Sequence, residues 1–80
     1  MSRQEYTRYE IAQHASESDY WLIMGNKVYA FVNWTHPGGW LVHSPFAGGK
    51  LDATDAYMIK HGGNSYIDSE LETHFIGYVK

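Results

Sequence analysis

The sequence predicts a small α+β domain, and three observations point there. Trp21-Leu22-Ile23-Met24 and Lys27-Val28-Tyr29-Ala30-Phe31 are β-rich runs flanking Gly25-Asn26, the pattern of a two-residue hairpin. Thr7-Arg8-Tyr9-Glu10 has the spacing of a helix capping box, and Asp52-Ala53-Thr54 opens a second helical stretch. Eighty residues with no internal repeat make a single domain, 1–80.

The elements follow in order. The capping box starts a short helix from Arg8 to about Ala15, with Ile11, Ala12 and either His14 or Ala15 on its inner face. Ser16-Glu17-Ser18-Asp19 is polar and reads as a loop before the hairpin. After Trp40-Leu41-Val42, Pro45 limits any helix to about one turn before Ala47-Gly48-Gly49. The second helix carries Ala56, Tyr57, Met58 and Ile59 and ends near Lys60, before Gly62-Gly63. Asp68-Ser69 caps a last short helix through Glu70-Leu71-Glu72-Thr73, and Phe75–Val79 closes the chain as a strand.

Composition narrows the function classes. Hydrophobic residues make up 44% and aromatics 16% of the chain, rich for so small a domain and compatible with walls around a large apolar ligand. A chain of this length buries only about 60 to 65% of its unfolded surface, so a cofactor is a natural internal staple. With no cysteine, disulfides, zinc–thiolate and iron–sulfur sites are excluded, and the lack of cysteine is compatible with a reducing compartment. A net charge of −3 and six scattered Lys and Arg disfavour nucleic acid. No apolar run approaches the ~20 residues of a membrane span, and Met1–Glu5 lacks the apolar core of a signal peptide. The expectation is a soluble, monomeric, cytoplasmic protein, or one whose anchor or fused domain lies after Lys80.

His36-Pro37-Gly38-Gly39 is the most specific motif. Proline fixes its own φ and glycine accepts conformations other residues disfavour, so the motif presents one imidazole at a controlled turn. His61 follows twenty-five positions later with its own pair, Gly62-Gly63. Two histidines on glycine-softened corners suit two axial bonds to one flat cofactor. A zinc site is weaker, because no convincing third or fourth ligand stands nearby.

Nearly the whole chain resembles the cytochrome b5 family. Tyr6-Thr7 with Glu10-Ile11 resembles its opening strand and helix, and Trp21-Leu22-Ile23 with Lys27-Val28-Tyr29 its central hairpin. His36-Pro37-Gly38-Gly39 matches the first axial-ligand motif, and Ala47-Gly48-Gly49, Asp52-Ala53-Thr54 and Phe75-Ile76-Gly77 recur in family order. The resemblance implies short helices forming a haem pocket over a small mixed sheet. Haem b is held there noncovalently, with His36 and His61 as axial ligands. Covalent attachment is excluded by the lack of a Cys-x-x-Cys-His sequence. Two imidazoles saturate the iron, which then moves electrons in preference to activating O₂.

The resemblance further implies Met24, Phe31, Val42, Tyr57, Ile59 and Leu71 as pocket wall, with Trp21, Trp34, Leu41 and Phe46 as further core or wall candidates. Ser65, Asn64 and the Gly62 and Gly63 amides are candidate propionate donors, and Lys60 a propionate partner. His43 approaches the haem edge, while His14 and His74 read as surface or sheet-edge residues. Some features depart from the family pattern: the chain is shorter between Val28 and His36, lacks one residue between Tyr57 and Ile59, and is longer between His61 and Leu71. Trp40-Leu41 replaces residues that are ordinarily acidic, which predicts an apolar docking contact beside Asp52 and Asp55. The function implied is one-electron transfer from a reductase to an acceptor such as a desaturase, hydroxylase or other haem protein, with no bond chemistry on a substrate. A non-redox module for haem or another flat hydrophobic ligand is the alternative.

Overall fold

The computed structural model describes residues 3–34 and 38–80. Five strands form one mixed sheet: β1 (Glu5–Tyr6), β2 (Ala15–Ser16), β3 (Asp19–Met24), β4 (Lys27–Val32) and β5 (Phe75–Val79). Their spatial order is β1-β5-β4-β3-β2, with only the β1–β5 pair parallel. Three α-helices, α1 (Arg8–Ala12), α2 (Thr54–His61) and α3 (Ser65–Glu72), accompany two 3₁₀ turns at Trp40–Val42 and Ala47–Gly49. The α+β class expected from the sequence is present.

The hairpin forms as its sequence requires. Gly25 takes φ +65, and β3 and β4 pair from Asp19↔Val32 to Met24↔Lys27. Alternation then divides the side chains between two faces. Tyr20, Leu22, Tyr29 and Phe31 form a buried cluster with Ala47, against which Met24, Trp34, Trp40, Phe46, Leu71 and Phe75 pack. Ile11, Ile23 and Val28 form the opposite cluster, covered by Tyr6, Trp21, Ile76 and Val79.

α1 has the expected cap: the Glu10 amide donates to the Thr7 hydroxyl, and the Thr7 amide donates to the Glu10 carboxylate. It is shorter than the sequence suggests, because Ala15 and Ser16 leave it to pair with Tyr20 and Asp19 as β2. Trp40 is half-buried, its edge against Tyr20 at 4.9 Å, whereas Leu41 is 81% exposed. The expectation of two outward apolar side chains therefore holds for Leu41 and is corrected for Trp40, whose indole completes the core.

α3 also departs from expectation. It begins at Ser65, not near Glu70, because the Asn64 side chain accepts from the Tyr66 and Ile67 amides at 3.1 and 3.2 Å. Residues 65–69, read as part of a long loop after His61, thus belong to the helix and add somewhat more than one turn.

Candidate functional site

A cavity of about 530 Å³ lies between the Tyr20–Phe31 face of the sheet and the α2–α3 helical hairpin. Leu22, Met24, Phe31, Trp34, Ile67 and Leu71 give it a mostly apolar wall, and Tyr57, Glu70 and three histidines, His43, His61 and His74, supply its polar groups. Its size falls within the range of about 300 to 1,000 Å³ typical of small-molecule and cofactor sites.

His61 owes its place to α2 and to the glycines that end it. It is the last helical residue, and Gly62 turns the chain away with φ −55 and ψ 131 while its amide still donates to the Met58 carbonyl at 2.9 Å. A Cβ on Gly62 would lie 2.5 Å from that carbonyl oxygen, and Gly63 takes φ +82, so the corner needs both glycines. Tyr57, one turn earlier on the same helix face, meets the His61 ring edge-on at 5.4 Å. The beginning of α2 is fixed to the sheet. The Asp52 carboxylate accepts from the Gly25 and Thr54 amides, both at 2.8 Å, and the Ala53 amide donates to the Ile23 carbonyl. Partial burial pushes the Asp52 carboxyl up, but its hydrogen bonds from Thr54 and Gly25, with the charge of Arg8, outweigh this and hold it below the usual carboxylate range.

The other two histidines face the cavity from the sheet side. Burial pushes the Tyr20 phenol up to about 12, and its hydroxyl is hydrogen-bonded to His43 Nδ1 at 2.7 Å. His43 stacks parallel to Trp34, with ring centroids 6.0 Å apart. His74 is not a surface residue: it is half-buried, stacked on Phe31 at 4.3 Å, and its Nδ1–H donates to the Ala30 carbonyl at 3.0 Å. His14 is half-buried outside the cavity, stacked on Trp21 at 3.8 Å and paired with Asp19.

The residues expected in the site separate into groups. Met24, Phe31, Tyr57, Leu71 and His61 line the one cavity. Val42, Ile59 and Ser65 do not line it: Val42 and Ser65 are exposed, and Ile59 is 82% exposed. Ile59 stands two residues from both Tyr57 and His61, about 200° round the helix from each, so a turn that faces them inward faces it outward. His36 lies outside the described residues. The sequence analysis missed Leu22, Ile67, Glu70 and the inward position of His74. Leu22 alternates with Met24 along β3. The i, i+4 spacing from Ile67 to Leu71 would have found another wall residue, had α3 been recognised.

The donor set suits a planar iron-centred cofactor. An imidazole at a helix end lines an apolar cavity, with the further ring nitrogens of His43 and His74 also on its wall. Among the described residues no three His, Cys, Asp or Glu are grouped to hold a bare metal ion.

Comparison with known proteins gives a consistent result. Residues 7–80 match the family described as "Cytochrome b5-like Heme/Steroid binding domain". The chain is 40% identical over 78 residues to cytochrome b5 of Candida tropicalis, covering 94% of this chain and 57% of that protein. It is 45% identical over 58 residues to a fatty acid desaturase 2-like protein of Mus musculus, covering 70% of this chain and 12% of that protein. Both curated relatives are therefore substantially longer than the part this chain spans. Among solved structures, cytochrome b558 of Ectothiorhodospira vacuolata, titled a prokaryotic homologue of cytochrome b5, superposes with a TM-score of 0.76. That match has 26% identity and covers 96% of this chain and 99% of that one.

Proposed function

This chain belongs to the cytochrome b5-like haem/steroid binding domain family, and we propose that it binds haem b noncovalently and serves as a one-electron carrier. One observation carries the reading: His61 is fixed at a helix end on the wall of an apolar cavity of cofactor size. Haem, when bound, supplies an iron that takes up and gives up one electron. Every other contribution comes from the chain. His61 would hold the iron through an imidazole nitrogen, and His36, the histidine of the His-Pro-Gly-Gly motif, would supply a second. Leu22, Met24, Phe31, Ile67 and Leu71 exclude water from the ring faces. Ser65, Asn64, the Gly62 and Gly63 amides and Lys60 are the candidates near the propionates.

The domain then performs no bond chemistry and depends on protein partners: a reductase as donor, and an acceptor of the desaturase or hydroxylase kind. The desaturase-like relative supports that partner class. No helix among the described residues is long and apolar enough to cross a membrane; we propose a soluble cytoplasmic domain acting as a monomer.

Absorption spectra of the haem-loaded protein, oxidised and then reduced, test the reading. A reversible low-spin six-coordinate spectrum is expected. His36→Ala or His61→Ala should give high-spin or haem-poor protein, and His43→Ala and His74→Ala should stay low-spin. A normal low-spin spectrum in His61→Ala would remove His61 as a ligand. The family description covers steroids as well as haem; binding of a flat apolar ligand without reversible reduction would favour the non-redox alternative.

A further inference from the structure

The helical hairpin that carries His61 is held by few deep contacts, since neither α2 nor α3 has a fully buried side chain. Its beginning is pinned to the sheet through Asp52 and Ala53. Midway along the two helices, one turn before His61, a different tie links helix to helix. The Tyr57 hydroxyl donates to Asp68 Oδ1 at 2.5 Å, the length of a charge-assisted O–H···O⁻ bond. Asp68 lies in the first turn of α3, where the helix N-terminus favours its negative charge. Tyr57 in turn meets the His61 ring edge-on, at 5.4 Å and an interplanar angle of 60°.

We propose that Asp68 is a positioning residue for His61, acting through the Tyr57 phenol. A neighbouring ring helps to hold an imidazole in one plane only if that ring is itself restrained. The Asp68 bond supplies this restraint by anchoring the far end of Tyr57 to α3. Tyr57 also separates two spaces. It lines the cavity on the His61 side and a second groove on the other, formed with Tyr29, Met58 and Glu72. Asp68 itself lines that groove, so without the tie the phenol is free to leave it, and His61 loses one contact that helps set its plane. The sequence gives no hint of this arrangement, because Tyr57 and Asp68 stand eleven positions apart on separate helices.

This inference rests on His61 being an axial ligand, and the test keeps the two apart. Tyr57→Phe, Asp68→Asn, the double variant and an Asp55→Asn control on exposed α2 are loaded with haem. Two quantities are read: the g values of the oxidised low-spin form, which report the orientation of the axial rings, and the rate of haem loss to a scavenging apoglobin. Tyr57→Phe and Asp68→Asn should shift the g values alike and speed haem loss by about fivefold, the factor expected for one hydrogen bond. The double variant should go no further than either single one. Asp55→Asn should match the unmodified protein. Unchanged g values in both single variants, or effects that add in the double one, would overturn the proposal even if haem loss rises. Failure of the unmodified protein to take up haem in low-spin form would overturn the ligand reading itself.

Discussion

The β3–β4 strand pair and the α2–α3 helix pair are each joined by a short glycine-containing turn, yet they are held together in opposite ways. The strand pair carries Tyr20, Leu22, Ile23, Val28, Tyr29 and Phe31, all buried, and has cores on both faces. The helix pair has no fully buried residue and exposes Met58, Ile59 and Tyr66. Its organisation comes from discrete polar ties: Asp52 at one end, Tyr57–Asp68 in the middle, and Asn64 at the turn. The contrast shows how an 80-residue chain divides its tasks. The sheet has apolar contacts of its own on both faces, and the helices present His61 and lining groups that, under the proposed function, a cofactor completes.

Substitutions in the two halves should differ in size. Leu22→Ala removes a side chain buried between sheet and cavity and should cost about 2 to 5 kcal/mol, enough to unfold much of so small a domain. Ile67→Ala, half-buried on α3, should cost well under half of that without haem and show mainly as faster haem loss. Chemical denaturation followed by tryptophan fluorescence, with and without haem, measures both. Equal losses in the apo form would erase the distinction between the halves.

Smaller effects sharpen it. Asn64→Ala removes the acceptor for two α3 amides and should destabilise that helix by about 1 kcal/mol, raising exchange in residues 65–72 and leaving the strand pair unchanged. Asp52 gives the smallest change, and a pH-dependent one. Its carboxyl is lower in the folded state than in the unfolded chain, so its contribution is present above about pH 4 and is lost as pH falls through the folded value. Asp52→Asn should therefore flatten the acid limb of the stability profile, and acid titrations of both proteins test this directly.

The elements easiest to read in the sequence are those set by local patterns, in either half. The hairpin, the Thr7–Glu10 capping box, α2 and β5 follow from local patterns, because alternation, caps and glycine turns act over a few residues. β2 was not legible: Ala15 and Ser16 are a strand only because Tyr20 and Asp19 pair with them. α3 was placed too late, since Asn64 after two glycines resembles a loop until its side chain caps the helix. In the site, the His61 corner was legible from its glycines. The inward position of His74 was not, because the Ala30 carbonyl that fixes it lies forty-four residues away. The tie between Tyr57 and Asp68 likewise depends on how two helices meet, which no local pattern encodes.

Residue-resolved amide exchange of the same protein with and without haem tests the central claim most directly. Without haem, amides from Thr54 to Glu72 should exchange quickly while those of the β3–β4 pair stay protected; haem should slow the first group strongly and leave the second nearly unchanged. Equal protection of both groups in both forms would contradict the account, because the helical hairpin would then be as self-sufficient as the sheet.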